Sequence, residues 1–132
     1  LHAGAVETPR GGLLLAGPSG VGKSTLTAAL GTAEGGHLLS DTFVVHRGTT
    51  LWAVPEPLLL DRWSMEWLGE AGRVLTEVPH NYALGRGGYS IPRSRYQQRS
   101  EAVAVVLPRR APEPYLRRID GAQALSRIDA FD

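Results

Sequence analysis

Residues 13–25 constrain this chain more than any others. Leu13-Leu14-Leu15-Ala16 runs straight into Gly17-Pro18-Ser19-Gly20-Val21-Gly22-Lys23-Ser24-Thr25. The spacing is G-x-x-x-x-G-K-[ST], in which small residues let main-chain N–H groups gather around an anion. The apolar run predicts a buried strand. Past the loop, Leu26 and Leu30 stand at helical spacing, and Gly31 is the expected stop. Strand, glycine loop, helix is the order that such a loop requires. Lys23 is the only lysine, and the other thirteen basic residues are arginine. An arginine-rich composition replaces surface lysines without consequence. A lysine that persists marks a place needing a compact ammonium on a long stem.

The chemistry follows from that geometry. Gly17, Ser19, Gly20, Val21, Gly22, Lys23, Ser24 and Thr25 are the expected nucleotide-binding residues. Lys23 is expected to bridge the terminal phosphates, Ser24 to take a position on Mg²⁺, and Thr25 to lie beside the proximal phosphate. The helix start adds its positive dipole end. The ligand class is a nucleoside di- or triphosphate with magnesium. A guanine-reading Asn/Thr-Lys-x-Asp motif needs a second lysine, which the chain lacks, so ATP is the nucleotide by elimination.

At 132 residues the chain predicts one domain, and its start at Leu1 reads as a fragment or incomplete chain. No apolar stretch reaches 18 residues, so no membrane span is expected. With no cysteine there is no disulfide framework or thiolate metal site, which fits a cytoplasmic location. His37, His46 and His80 show no metal-ligand spacing. A net charge of +1 gives no reason to expect a nucleic-acid partner, and a homo-oligomer is left open. The charge is unevenly spread. Residues 78–100 hold no acid but contain Arg86, Arg93, Arg95 and Arg99. Arg86 and Arg93 are candidate phosphate contacts, with a solvated loop face as the plain alternative.

The remaining pattern predicts a strand over residues 4–8, another over 37–45, and a hairpin partner over 49–54 across Arg47-Gly48. Pro55 and Pro57 break the pattern. A helix is expected within residues 61–75, with Trp63, Trp67 and Leu68 on one face and the tryptophans packing core or a partner surface. Residues 82–98 read as an irregular loop, 102–107 and 116–119 as strands, and 121–128 as a closing helix. Strands outnumber helices, which favours an α/β domain with a mixed β-sheet over a regular alternation of strand and helix.

Phosphoryl transfer also needs a carboxylate near the γ-phosphate, on Mg²⁺ or as the base for the substrate proton. Two carboxylates end apolar runs: Asp41 after Leu38-Leu39-Ser40, and Asp61 after Leu58-Leu59-Leu60. Prolines precede the second run, which argues against a central strand. Asp61 also stands where it would cap a helix beginning at Arg62. Asp41 lies within a strand pattern, where an unpaired carboxylate is expensive. It is the preferred choice, with a strand-end turn as the plain alternative.

His2-Ala3-Gly4, the glycine-punctuated turn, Leu13-Leu14-Leu15-Ala16, the P-loop and His37-Leu38-Leu39-Ser40-Asp41 resemble the catalytic domain of HPr kinase/phosphorylase over about residues 1–60. That family phosphorylates a serine hydroxyl and is similar in fold to phosphoenolpyruvate carboxykinase. The resemblance implies an HPr-kinase-like fold, Asp41 as general base, and His2 as the histidine that pairs with it; Asp41 is also, with Ser24, a candidate magnesium partner. Thr42 stands where the family carries a second Asp, and the family's downstream glycine-rich signature has no counterpart. The expectation is therefore Mg-dependent transfer of the γ-phosphoryl group of ATP to a hydroxyl acceptor, a serine by analogy. The acceptor is a small molecule or a peptide. Two other classes share the loop: a nucleotide-binding or regulatory module without transfer chemistry, and an ATPase coupling hydrolysis to motion.

Overall fold

The computed structural model describes residues 1–79 and 85–129. His80 and residues 82–84, the start of the predicted irregular loop, lie outside them. Among the described residues nine strands and three α-helices follow one another as β1 (Ala3–Thr8), β2 (Gly11–Ala16), α1 (Lys23–Thr32), β3 (His37–Ser40), β4 (Val45–Arg47), β5 (Thr50–Trp52), β6 (Leu58–Asp61), α2 (Arg62–Leu68), β7 (Thr76–Val78), β8 (Arg86–Ser90), β9 (Arg99–Val106) and α3 (Gly121–Asp129). The larger sheet has the order β3-β1-β2-β9-β5-β4, and the smaller one β6-β8-β7. Only β2 and β9 run parallel, with Leu15 opposite Val106; every other named strand pair is antiparallel. The result is a mixed α/β fold with a mixed sheet.

The continuous apolar run of β2 is explained by burial on both faces. Leu13 and Leu15 point into one core with Val6, Ala28 and Leu38. Leu14 and Ala16 point into a second core with Ala3, Ala5, Leu39, Val44 and Leu51. α1 and the smaller sheet cover the first face, since Leu58, Leu60, Leu68 and Ile91 belong to that core. Ile128 of α3 packs against the second. α1 approaches β1 so closely that a Cβ on Gly4 would collide with the Thr27 hydroxyl. No helix among the described residues is long and apolar enough to cross a membrane.

Several expectations are corrected. The strand expected over residues 37–45 stops at Ser40, because the chain bends at Asp41 and Thr42 before β4 begins. The hairpin turn lies one residue later than read, at Gly48-Thr49, with Arg47 opposite Thr50. Gly31 does not stop α1; it is buried inside the helix, where its small size lets Leu38 and Ile91 approach. The helix within residues 61–75 is α2 followed by a 3-10 turn, Gly69–Val74. Trp63 and Trp67 are exposed, at 65% and 58%, because α2 buries its Ser64–Leu68 stripe instead. Part of the expected irregular loop is β8, the central strand of the smaller sheet. No strand forms at residues 116–119. β6 is an edge strand, as its neighbouring prolines require.

Candidate functional site

The loop between β2 and α1 gets its shape from two glycines. Gly20 and Gly22 have φ of 79° and 101°, in the left-handed region that other residues enter at a cost. Gly22 is also the N-cap of α1, so no side chain caps the first-turn N–H groups. These orphan donors and the helix dipole make that end receptive to negative charge. Lys23 opens the helix and folds back over the loop. Its Nζ donates to the carbonyl oxygens of Gly17 at 2.7 Å and Pro18 at 2.9 Å, and the residue is only 7% exposed. Burial lowers the lysine pKa, and Arg86 adds to this; Asp41 opposes it.

Asp41 closes the other wall. It is 2% exposed, immediately past the end of β3, at the bend that ends the strand. A clasp holds that bend. The Val54 N–H donates to Ser40 Oγ at 2.7 Å, and the Thr42 and Phe43 N–H groups donate to Glu56 Oε1 at 3.1 and 2.9 Å. The Leu59 N–H donates to Asp41 Oδ2 at 3.2 Å. Asp41 Oδ1 is buried and has no hydrogen-bond partner among the described residues. Burial pushes the carboxyl up to about 6, and Glu56 pushes the same way. The Leu59 amide, the Ser24 hydroxyl and the Lys23 ammonium all pull it down, although Ser24 makes no well-formed hydrogen bond to Oδ1.

Asp61 behaves differently. It is the exposed N-cap of α2, and its Oδ1 accepts from the Ser64 N–H at 2.7 Å. That hydrogen bond and the Ser64 hydroxyl hold its carboxyl below the usual range. Ser64 Oγ lies 2.7 Å from Thr25 Oγ1, so the capped end of α2 is tied directly to the start of α1.

These parts surround a cleft of ≈ 170 Å³ lined by Ser19, Gly20, Gly22, Lys23, Ser24 and Thr25 on one side, and by His2, Asp41, Asp61, Arg86 and Arg110 elsewhere. The loop, Asp41, His2 and Arg86 are thus brought together. Gly17 meets the cleft through the Lys23 ammonium, and Val21 lines a neighbouring cleft. Two expectations differ from the geometry. His2 is exposed at the start of β1, its ring 5.8 Å from that of Phe43, and among the described residues it makes no hydrogen bond to Asp41. Arg93 is exposed on a 3-10 turn, Arg93–Arg95. The neighbouring Arg95 donates to Ala33 and Gly36 carbonyls beyond the far end of α1, which places this turn away from the cleft.

Sequence reasoning missed Glu56, Ser64 and Arg110. The first two act through long-range contacts that no local pattern reveals. Arg110 donates to the Gly20 carbonyl at 2.9 Å across ninety positions of chain. A tandem arginine just past an apolar strand, Arg109-Arg110 after Leu107-Pro108, was the available signal. Among the described residues no group of three or more His, Asp or Glu side chains forms a metal cage. Magnesium needs no such cage, since it is held through one or two carboxylates with phosphate oxygens and water. The orphan Oδ1 of Asp41 and the nearby Ser24 hydroxyl are oxygen donors of that kind. No protein-family model matches this chain, and no curated protein matches it either. What the chain does is therefore a matter for its own residues.

Proposed function

We propose that this chain is an ATP-binding P-loop kinase of HPr-kinase-like type, which passes the γ-phosphoryl group to a hydroxyl of its acceptor. The observation that carries the reading is Asp41: a buried carboxylate with one unpartnered oxygen, lining the same small cleft as Lys23, Ser24 and the uncapped start of α1. An unpaired buried carboxylate costs stability and is retained where charge or a proton arrives. Lys23 exchanges its two neutral carbonyl acceptors for anionic phosphate oxygens, which pair its charge. Arg86 and Arg110 line the cleft and add positive charge where charge accumulates on the transferring group. Bound magnesium, with Ser24 and Asp41 as protein oxygens, would neutralise the phosphate chain. The acceptor oxygen bonds to the γ-phosphorus, the bond from that phosphorus to the β-bridging oxygen breaks, ADP leaves, and the hydroxyl proton passes to Asp41. A carboxyl raised to about 6 is a stronger base than an ordinary one yet is ionised at neutral pH.

The test is ADP release and phosphoacceptor formation from MgATP with free serine and serine peptides. Asp41→Asn is expected to abolish transfer while MgATP still binds. Equal transfer rates for the variant and the parent refute the base assignment. A second reading, a nucleotide-binding module without transfer, is favoured by the lack, among the described residues, of a hydrogen bond between His2 and Asp41. Nucleotide binding with no product from any acceptor selects it.

A further inference from the structure

A second cleft, of ≈ 830 Å³, opens on the outer side of the glycine loop. It is lined by Pro18, Ser19, Gly20 and Val21 of the loop, by Leu107, Pro108, Arg109 and Arg110, and by Arg127 of α3. The smaller cleft, at ≈ 170 Å³, falls below the roughly 300–1,000 Å³ of ordinary ligand pockets and suits only a phosphate chain. The larger one falls within that range. Both include Ser19, Gly20 and Arg110, so the two clefts are contiguous across the rim of the loop.

The topology explains why the larger cleft lies there. β2 and β9 are the one parallel pair among the named strands, with Leu15 opposite Val106. Their carboxyl ends release residues 17–22 and 107–110 side by side. In open α/β sheets, ligands bind in crevices outside the carboxyl ends of the strands. The wall chemistry is also specific. Val21, Leu107 and Pro108 give an apolar surface, while Arg109, Arg110 and Arg127 bring three guanidinium groups. Guanidinium planes stack on aromatic rings and donate to ring acceptors.

We infer that the larger cleft is the nucleoside half of the site. The base and ribose lie against Val21, Leu107 and Pro108, and Arg127 packs on the base. Arg110, held on the Gly20 carbonyl at 2.9 Å, stands at the junction of nucleoside and phosphates. The inference rests on the glycine loop taking a triphosphate, and the experiment separates the two.

Isothermal titration of the protein with MgATP and with magnesium tripolyphosphate reads each half. The parent is expected to bind MgATP at least about tenfold more tightly than tripolyphosphate, the worth of one stacked base. Pro108→Trp, which places an indole in the cleft, and Arg127→Ala, on the half-buried face of α3, are each expected to reduce that ratio. Neither should change tripolyphosphate affinity. Two variants of different kinds, each checked for a parental circular dichroism spectrum, guard against a folding artefact. Equal affinity of the parent for both ligands overturns the inference and leaves the loop reading standing. So does an ATP preference that survives in both folded variants. Failure of the parent to bind tripolyphosphate, or full tripolyphosphate binding by Lys23→Ala, overturns the loop reading instead.

Discussion

Replacing Asp41 by asparagine should favour the folded state more at neutral pH than at acid pH, and the size of that difference can be worked out in advance. The carboxyl rises from 3.8 to about 6, chiefly because burial penalises its charge. At about 1.36 kcal/mol per pH unit, that gap corresponds to about 3 kcal/mol. The sign follows from linkage. Between the two pKa values the folded state binds a proton that the unfolded chain has released, so stability falls as pH rises. The stabilising contribution is complete below about pH 4 and is lost as pH climbs through about 6. Asparagine cannot ionise, so Asp41→Asn removes this loss. Any pH-independent cost, such as a weaker contact to the Leu59 N–H, is the same at both ends of the window. Urea unfolding of parent and variant at pH 4 and pH 7.5, followed by tryptophan fluorescence, gives the double difference. The variant is expected to improve relative to the parent by about 2–3 kcal/mol across that interval. An equal effect at both pH values, or a change of the opposite sign, refutes the picture of Asp41 as a strained buried carboxylate. The same substitution is expected to end transfer, so the stability recovered between acid and neutral pH is set against activity, as at many site residues.

Lys23→Ala should weaken triphosphate binding roughly ten- to hundredfold, the loss of a charge-assisted contact. Lys23→Arg should fail as well, since a guanidinium is too broad for a pocket that holds the ammonium between the Gly17 and Pro18 carbonyls; parental affinity in calorimetry would refute this. Asp61→Asn should cost only a few tenths of a kcal/mol in chemical denaturation, because asparagine caps about as well as aspartate, and Mg-dependent nucleotide affinity should hold. Loss of that affinity in Asp61→Asn, together with parental transfer by Asp41→Asn, would reverse the roles of the two carboxylates. Gly4→Ala should destabilise by about 1–3 kcal/mol through collision with Thr27, and Thr27→Ala in the same chain should recover most of it. A double variant no more stable than Gly4→Ala alone would show that the close approach of α1 to β1 is not the cause.

The sequence by itself determined the strand, glycine loop and helix at residues 11–32, because those signals are local. An apolar run, glycines at left-handed positions and leucines at helical spacing each act within a few residues. The capping role of Asp61 was legible for the same reason: a cap is a contact between residues three apart. The position of Asp41 was only half legible. Its run of apolar neighbours looked like one long strand, but Glu56 and Ser40 fold the chain back through bonds to residues about fourteen positions away. Trp63 and Trp67 lie outside the core because hydrophobicity marks only which residues prefer burial, whereas α2 turns its Ser64–Leu68 stripe inward, with Ser64 Oγ against Thr25 Oγ1. β8 was hidden because its glycines and arginine carry no strand signal, and its pairing with β6 and β7 supplies what its composition does not. Likewise, His2 could be matched by motif, but its orientation depends on the bridge to Phe43. The meeting of Arg110 with Gly20 was decided by tertiary structure alone: parallel pairing of β2 with β9 brings together segments ninety residues apart, and no pattern within either segment encodes that registration.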